Sequence, residues 1–175
     1  MHYEAAIEHY QLAIENSLEN DDFLSVYYIL LGYSYGHLKQ KSAELLKLIR
    51  KMNIPTVAAY FNYGWGLAAH ELESYEIAQE KLKEAIKRRP SVSLLHNQLG
   101  DTLRKADKYE SAAEAYKKAI LREPISAPGY RKLGEILGYK IWKQHDVKVD
   151  DTDISRLPMF ADVYYGCGRF LYAKG

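Results

Sequence analysis

Glycine returns at a fixed interval through most of the chain: Gly32, Gly66, Gly100, Gly134 and Gly168 are each 34 residues apart. Pro90, Pro124 and Pro158 keep the same interval. A fixed period in the range of roughly 20 to 50 residues means that one small helical or hairpin unit is built again and again, each copy burying its apolar face on the next. That constraint removes most other architectures before any single side chain is considered.

Around each glycine, apolar and aromatic residues fall at helical spacing. Tyr28, Leu31 and Tyr35 accompany Gly32, Leu99 and Leu103 accompany Gly100, Tyr130, Leu133 and Leu137 accompany Gly134, and Tyr164, Cys167 and Leu171 accompany Gly168. A second amphipathic helix follows, clearest in Tyr75-x-x-Ala78-x-x-x-Leu82-x-x-Ala85 and Tyr109-x-x-Ala112-x-x-x-Tyr116-x-x-Ala119. Pro90 and Pro124 stop these helices, because proline lacks an N–H and biases its predecessor away from helical backbone. Large residues on one helix therefore oppose Gly or Ala on the other, so the axes can approach while bulky neighbours fill the grooves.

Leu99-Gly100, Tyr109, Ala112, Tyr116, Ala119 and Pro124 resemble the signature of a tetratricopeptide repeat, a helix–turn–helix unit of this period. The resemblance implies an all-α, right-handed α-solenoid of antiparallel helix pairs with about eight or nine helices, first helices lining a concave groove and second helices forming the convex back. It is fullest from Asn97-Gln98-Leu99-Gly100 to Pro124, and good from Tyr60 to Pro90 with Trp65 in place of the usual Leu. In the repeat around Gly32 the second helix, Ser42 to Met52, keeps Ala43 but has Lys47 and Arg50 where an aromatic residue and Ala are expected, which marks a one-residue deletion.

The expected organisation is a single solenoid over 1–175 with repeats at 23–55, 56–90, 91–124 and 125–157. A lone second helix occupies 1–22 (Tyr3, Ala6, Tyr10, Ala13) and a lone first helix 158–175. Solenoid ends need a polar outer face, so these lone helices favour a fragment of a longer array over unusual caps. The second helix of repeat 125–157 fails: Asp146 to Asp153 is rich in β-branched residues and Asp and reads as a loop. Helix resumes near Pro158, with Asp153 or Ser155 as its cap.

Composition narrows the partners. Lys and Arg number 24 against 23 Asp and Glu, a net charge of +1, so no excess of positive charge exists to neutralise a phosphate backbone or an anionic membrane surface. Cys167 is the single cysteine, which rules out an intramolecular disulfide and fits a reducing compartment. No run approaches the roughly 20 apolar residues that span a bilayer, and Met1-His2-Tyr3-Glu4 does not open a secretory leader. The expectation is a cytoplasmic protein with neither nucleic acid nor membrane insertion.

Motifs that carry chemistry elsewhere are weak here. Gly64-Trp65-Gly66-Leu67-Ala68-Ala69 fits G-x-G-x-x-A, but a dinucleotide site needs a preceding strand, whereas Gly66 sits on a helical lattice. Gly166-Cys167-Gly168 fails for the same reason. Asp151-Thr152-Asp153 has the D-x-D form some glycosyltransferases use to hold a divalent ion, and Asp146 and Asp150 add carboxylates. The segment lacks the Gly and terminal Glu of an EF-hand loop, so a solvated linker is the better reading. Cys167 stands where other repeats place Leu31, Leu99 and Leu133 and reads as core. The six His lack metal-ligand spacing and no Ser is placed beside a base. No enzyme activity, catalytic residue, cofactor or metal is expected.

The 16 tyrosines sort into two groups. Tyr3, Tyr10, Tyr28, Tyr35, Tyr75, Tyr109, Tyr116, Tyr130 and Tyr164 occupy scaffold columns. Projected on a helical wheel, the first-helix faces turned from the second helices carry Tyr33 and His37, then Tyr60, Tyr63, Leu67, His70 and Glu71, then Asn97, Gln98, Asp101 and Arg104, then Arg131, Lys132 and Glu135. This wall runs from aromatic to polar and suits an extended peptide or a partner helix. The competing reading has Tyr33, Tyr60 and Tyr63 covered by another repeat or by the superhelix.

One subclass of the family grips the C-terminal carboxylate of heat-shock chaperones with Lys and Asn, then Asn, then Lys and Arg on three first helices. The corresponding columns here hold Ile29 and Tyr33, Gly64, and Leu94 and Gln98, or Tyr63 and Leu67, Gln98, and Pro128 and Lys132. Neither window supplies the charges, so no such clamp is expected. The leading expectation is a non-catalytic protein–protein interaction scaffold. The alternatives are the recruiting arm of a larger enzyme, for example a glycosyltransferase, and a homo-oligomer formed through complementary solenoid ends.

Overall fold

A computed structural model of the protein describes residues 2–17, 23–38, 55–125, 127–142 and 160–174. They form α1 (Tyr3–Asn16), α2 (Leu24–Leu38), α3 (Pro55–Glu71), α4 (Tyr75–Arg88), α5 (Ser93–Lys105), α6 (Tyr109–Arg122), α7 (Ala127–Trp142) and α8 (Phe160–Lys174), with no strand among the described residues. The all-α helix-pair architecture expected from the repeat is what these residues adopt. The expected helix Ser42 to Met52, the loop Asp146 to Asp153 and the helix start at Pro158 with its caps lie outside the described residues. The helices fall into two compact units, Met1–Ser91 and Val92–Gly175.

In each unit one helix pair is closed by the same turn. Helix α3 ends with Glu73 in the left-handed region (φ 55), its N–H donating to His70 O (3.1 Å) and the N–H of Ser74 to Ala69 O (2.8 Å). Helix α5 ends identically at Asp107 (φ 58), with Asp107 N–H to Arg104 O (3.1 Å) and Lys108 N–H to Leu103 O (2.9 Å). This double bond pattern is a Schellman motif, which satisfies the last carbonyls of one helix and reverses the chain into the next. At the far end of the α3–α4 pair Arg89 Nη1 donates to Thr56 Oγ1 (3.1 Å), and in α5–α6 Ser93 Oγ donates to Glu123 Oε2.

The small and large columns mesh as the repeat requires. Ala78, Leu82 and Ala85 of α4 are fully buried, as are Ala112 and Tyr116 of α6. A Cβ added to Gly66 would lie 2.9 Å from Leu82 Cγ, and one added to Gly100 would lie 2.6 Å from Tyr116 Cδ1. Gly66 and Gly100 are thus the seats of the large residue on the following helix. Each such aliphatic or aromatic burial stabilises the pair by about 1.5–3 kcal/mol. In the first unit Ile7, Tyr28, Leu31, Tyr35, Val57, Phe61 and Trp65 form the core, and Trp65 takes the Lys81 ammonium 4.8 Å from its ring centroid. In the second, Leu103, Ala112, Ala115, Tyr116 and Ile136 form one cluster and Ile120, Tyr130 and Val163 another.

A second glycine contact joins first helices directly. In the first unit Gly32 of α2 lies against the carbonyl of Phe61 in α3, and Gly64 of α3 lies against the carbonyl of Ile29 in α2. The second unit repeats the arrangement: Gly134 of α7 lies against the carbonyl of Val163 in α8, and Gly166 of α8 against the carbonyl of Arg131 in α7. At each of these four positions a Cβ would collide with backbone, so the glycines permit helix–helix contact through Cα–H and carbonyl groups.

One scaffold assignment is corrected. Tyr164, read from its column as core, is 51% exposed, whereas His96 in the same column of α5 is 4% exposed. Tyr130, in the same column of α7, packs with Ile120 of the preceding second helix α6, and the chain between α7 and α8 lies outside the described residues. Cys167 is buried, and burial raises its thiol pKa.

Candidate functional site

The first-helix faces of the first unit bring Tyr33 and His37 of α2 to the C-terminal end of α3. The Tyr33 hydroxyl donates to Glu71 Oε2, and His37 Nε2 lies 3.6 Å from the same oxygen. The His37 ring stacks on Tyr3 of α1 (centroids 4.6 Å, 5° between planes) and meets Tyr33 edge-on at 4.5 Å. Residues 33 and 37 are one helical turn apart, which is why both reach one carboxylate. Glu71 holds the Tyr33 phenol protonated, pushing its pKa up from 10.0 to about 12, with burial adding to the effect of the hydrogen bond.

The other expected groove residues of this unit are divided. Tyr60 and Leu67 are half-buried, Tyr60 packing on the aromatic core, and Tyr63 is 9% exposed. The His70 ring meets Tyr75 of α4 edge-on at 5.9 Å, so His70 packs across the helix pair. Tyr3, which the column pattern assigns to the scaffold, joins the His37 cluster.

In the second unit α5 and α7 contribute a charged strip. Asp101 accepts hydrogen bonds from the hydroxyl of Tyr116 (Oδ1, 2.9 Å) and from Lys132 Nζ through Oδ2. One turn along, Arg104 Nε lies 3.9 Å from Glu135 Oε2. The side chains of Lys132, Asp101, Arg104 and Glu135 retain 29%, 19%, 32% and 28% of their exposure, so each charge faces both a partner and solvent. Tyr116 is fully buried; burial and then the Asp101 charge raise its pKa, so it remains a hydrogen-bond donor.

Asn97, expected on this wall, is 8% exposed, and its Oδ1 lies 3.6 Å from the place of a Cβ on Gly129. Gln98 and Arg131 are half-buried. The strip of the second unit is thus drawn from Asp101, Arg104, Lys132 and Glu135. Among the described residues no group of three or more His, Cys, Asp or Glu is placed to hold a metal ion, and no helix is long and apolar enough to cross a membrane.

A family model for the tetratricopeptide repeat matches residues 95–125, the span of α5, its Schellman turn and α6. No curated protein matches the chain at a significant level of sequence similarity. Among solved structures the chain is similar to MamA, with a TM-score of 0.55 at 17% identity over 99% of this chain and 92% of that one. It is also similar to a double mutant of MamA RS-1 (TM-score 0.54, 16% identity, 98% and 86% covered). A third likeness is to MamA AMB-1 (TM-score 0.51, 20% identity, 94% and 89% covered). At these identities the likeness establishes the fold. The family model thus shows a tetratricopeptide repeat at 95–125, and the 34-residue lattice and the repeated helix pair carry the same pattern beyond it.

Proposed function

We propose that the chain is a non-catalytic interaction scaffold that binds a peptide or partner helix on the first-helix faces of its repeats. The observation that carries this reading is the strip Asp101, Lys132, Arg104 and Glu135, in which two helices from different repeats present alternating charges that keep between 19% and 32% of their exposure. Such groups exchange their partners for those of a ligand at little cost, since partly exposed ion pairs contribute on the order of 0–1 kcal/mol each. The buried, protonated Tyr116 holds Asp101 in place, so the acceptor is presented in one orientation. An extended peptide with acidic and basic groups in alternation complements the strip.

The test is selection from a random peptide library on the intact chain, followed by titration of selected peptides. Binding at the strip predicts at least a tenfold loss with Lys132→Ala or Arg104→Ala and little change with Lys117→Ala on the outer face of α6. Peptides indifferent to both strip substitutions would remove the reading.

A further inference from the structure

We propose that the first unit holds a recognition site of its own, in which Glu71, flanked by the rings of Tyr33, His37 and Tyr3, takes the cationic side chain of a Lys or Arg from a protein partner. This rests on the reading that first-helix faces bind a peptide, and it names the residue type that the first unit selects.

Charge is sparse on the first helices of this unit. Helices α2 and α3 contain no Lys, Arg or Asp, and Glu71 is their only permanently charged residue. Glu71 is also the last residue of α3, where the helix macrodipole leaves about half a negative charge and a carboxylate is disfavoured. His37 stands in the last turn of α2 beside the same carboxylate, so the negative ends of two helices meet there. An anion at this place opposes helix stability, and a cation supplied from outside relieves it. In the second unit the carboxylates of the strip already face Lys132 and Arg104, so Glu71 has no counterpart there.

The neighbours of Glu71 hold it in place and leave it accessible. Its side chain keeps 55% of its exposure, and the contacts with the Tyr33 hydroxyl and with His37 Nε2 both fall on Oε2. Among the described residues Oε1 has no partner. His37 Nε2, at 3.6 Å, is beyond hydrogen-bond reach of Oε2 and is buried without a hydrogen-bond partner among the described residues. Beside the carboxylate, Tyr3 stacks on His37 and Tyr33 meets it edge-on, so aromatic rings line the approach. Ring faces attract an ammonium or guanidinium within about 6 Å of their centroids, and a carboxylate at the end of such a wall completes a cation site. The same arrangement repels an acidic side chain.

The experiment is an amide chemical-shift titration of the full chain at fixed ionic strength with capped Gly-Ser peptides of equal length, each carrying a single central Lys, Arg or Glu. The account expects saturable shifts at Tyr33, His37 and Glu71 with the Lys or the Arg peptide, and none with the Glu peptide. Whichever basic peptide binds more tightly identifies the preferred head group as ammonium or guanidinium. Glu71→Gln, at an exposed position and still able to accept from Tyr33, is expected to raise the half-saturating concentration roughly fivefold or more. Glu135→Gln in the second unit leaves it unchanged. Shifts equally large with the Glu peptide, shifts indifferent to Glu71→Gln, or no shift with either basic peptide overturn the proposal. Shifts confined to Asp101 and Glu135 also overturn it, and leave the reading of the charged strip standing.

Discussion

Gly166 of α8 lies directly against the backbone carbonyl of Arg131 in α7, and Gly64 of α3 meets Ile29 of α2 in the same way three repeat lengths earlier. In both units two first helices touch through their main chains because neither presents a side chain at the crossing.

Gly166→Ala forces these backbones apart, and overpacking of this kind costs about 1–3 kcal/mol. Gly168→Ala, two residues away, meets no atom of the described residues and gains roughly 0.5–1 kcal/mol of helix propensity. Urea unfolding of the two variants should therefore move in opposite directions from the wild type.

Glu73 and Asp107 hold the left-handed position of the two Schellman turns, at φ 55 and φ 58. A side chain there costs about 1 kcal/mol relative to glycine, and Asp tolerates the region better than Glu. Glu73→Gly is expected to raise stability by roughly 1 kcal/mol, with Asp107→Gly giving less, as read by thermal melting.

The hydroxyl of Tyr116 is buried and bonded to a carboxylate, so Tyr116→Phe is expected to cost about 2 kcal/mol. Asp101→Asn keeps an acceptor for that hydroxyl and loses the charge facing Lys132, a smaller loss of roughly 1 kcal/mol. Denaturant titration of both variants gives the ranking.

Tyr33 titrates near pH 12 in the fold against an ordinary 10.0, so the folded state favours its neutral phenol. The contribution is fully present below pH 10.0 and is lost as the pH rises toward 12. The ultraviolet difference titration between wild type and Tyr33→Phe should show the high midpoint. Glu71→Gln should return it toward 10.0, since the hydrogen bond to Glu71 is the largest cause of the rise.

Much of this fold is legible in the sequence because its signal is periodic. The spacing of Gly66 and Gly100, with Leu82 and Tyr116 opposite them, states which residue seats on which, and the structure closes those contacts. Gly64 and Gly166 share a register two residues before the lattice glycine, but Gln98 and Lys132 hold it in between, so in the sequence it suggests a nucleotide fingerprint or nothing. Its use, contact between first helices, emerges only when both helices are in view. The left-handed turns are hidden because Glu73 and Asp107 are not glycines. For the candidate site, wheel projection puts Asp101, Arg104, Lys132 and Glu135 on one wall, but periodicity states a direction and not a depth. Asn97 points the same way and is buried against Gly129. Tyr164 shows the converse: its column says core, but burial in that column needs a neighbouring helix of the kind that supplies Ile120 to Tyr130.

The most direct test of the account is a backbone amide chemical-shift map of the chain, recorded with and without a peptide selected on it. Binding on the first-helix faces predicts that the largest shifts fall at Asp101, Arg104, Lys132 and Glu135, with Lys117 and Lys118 of α6 unmoved. Shifts concentrated on α6, with the strip unchanged, would contradict it.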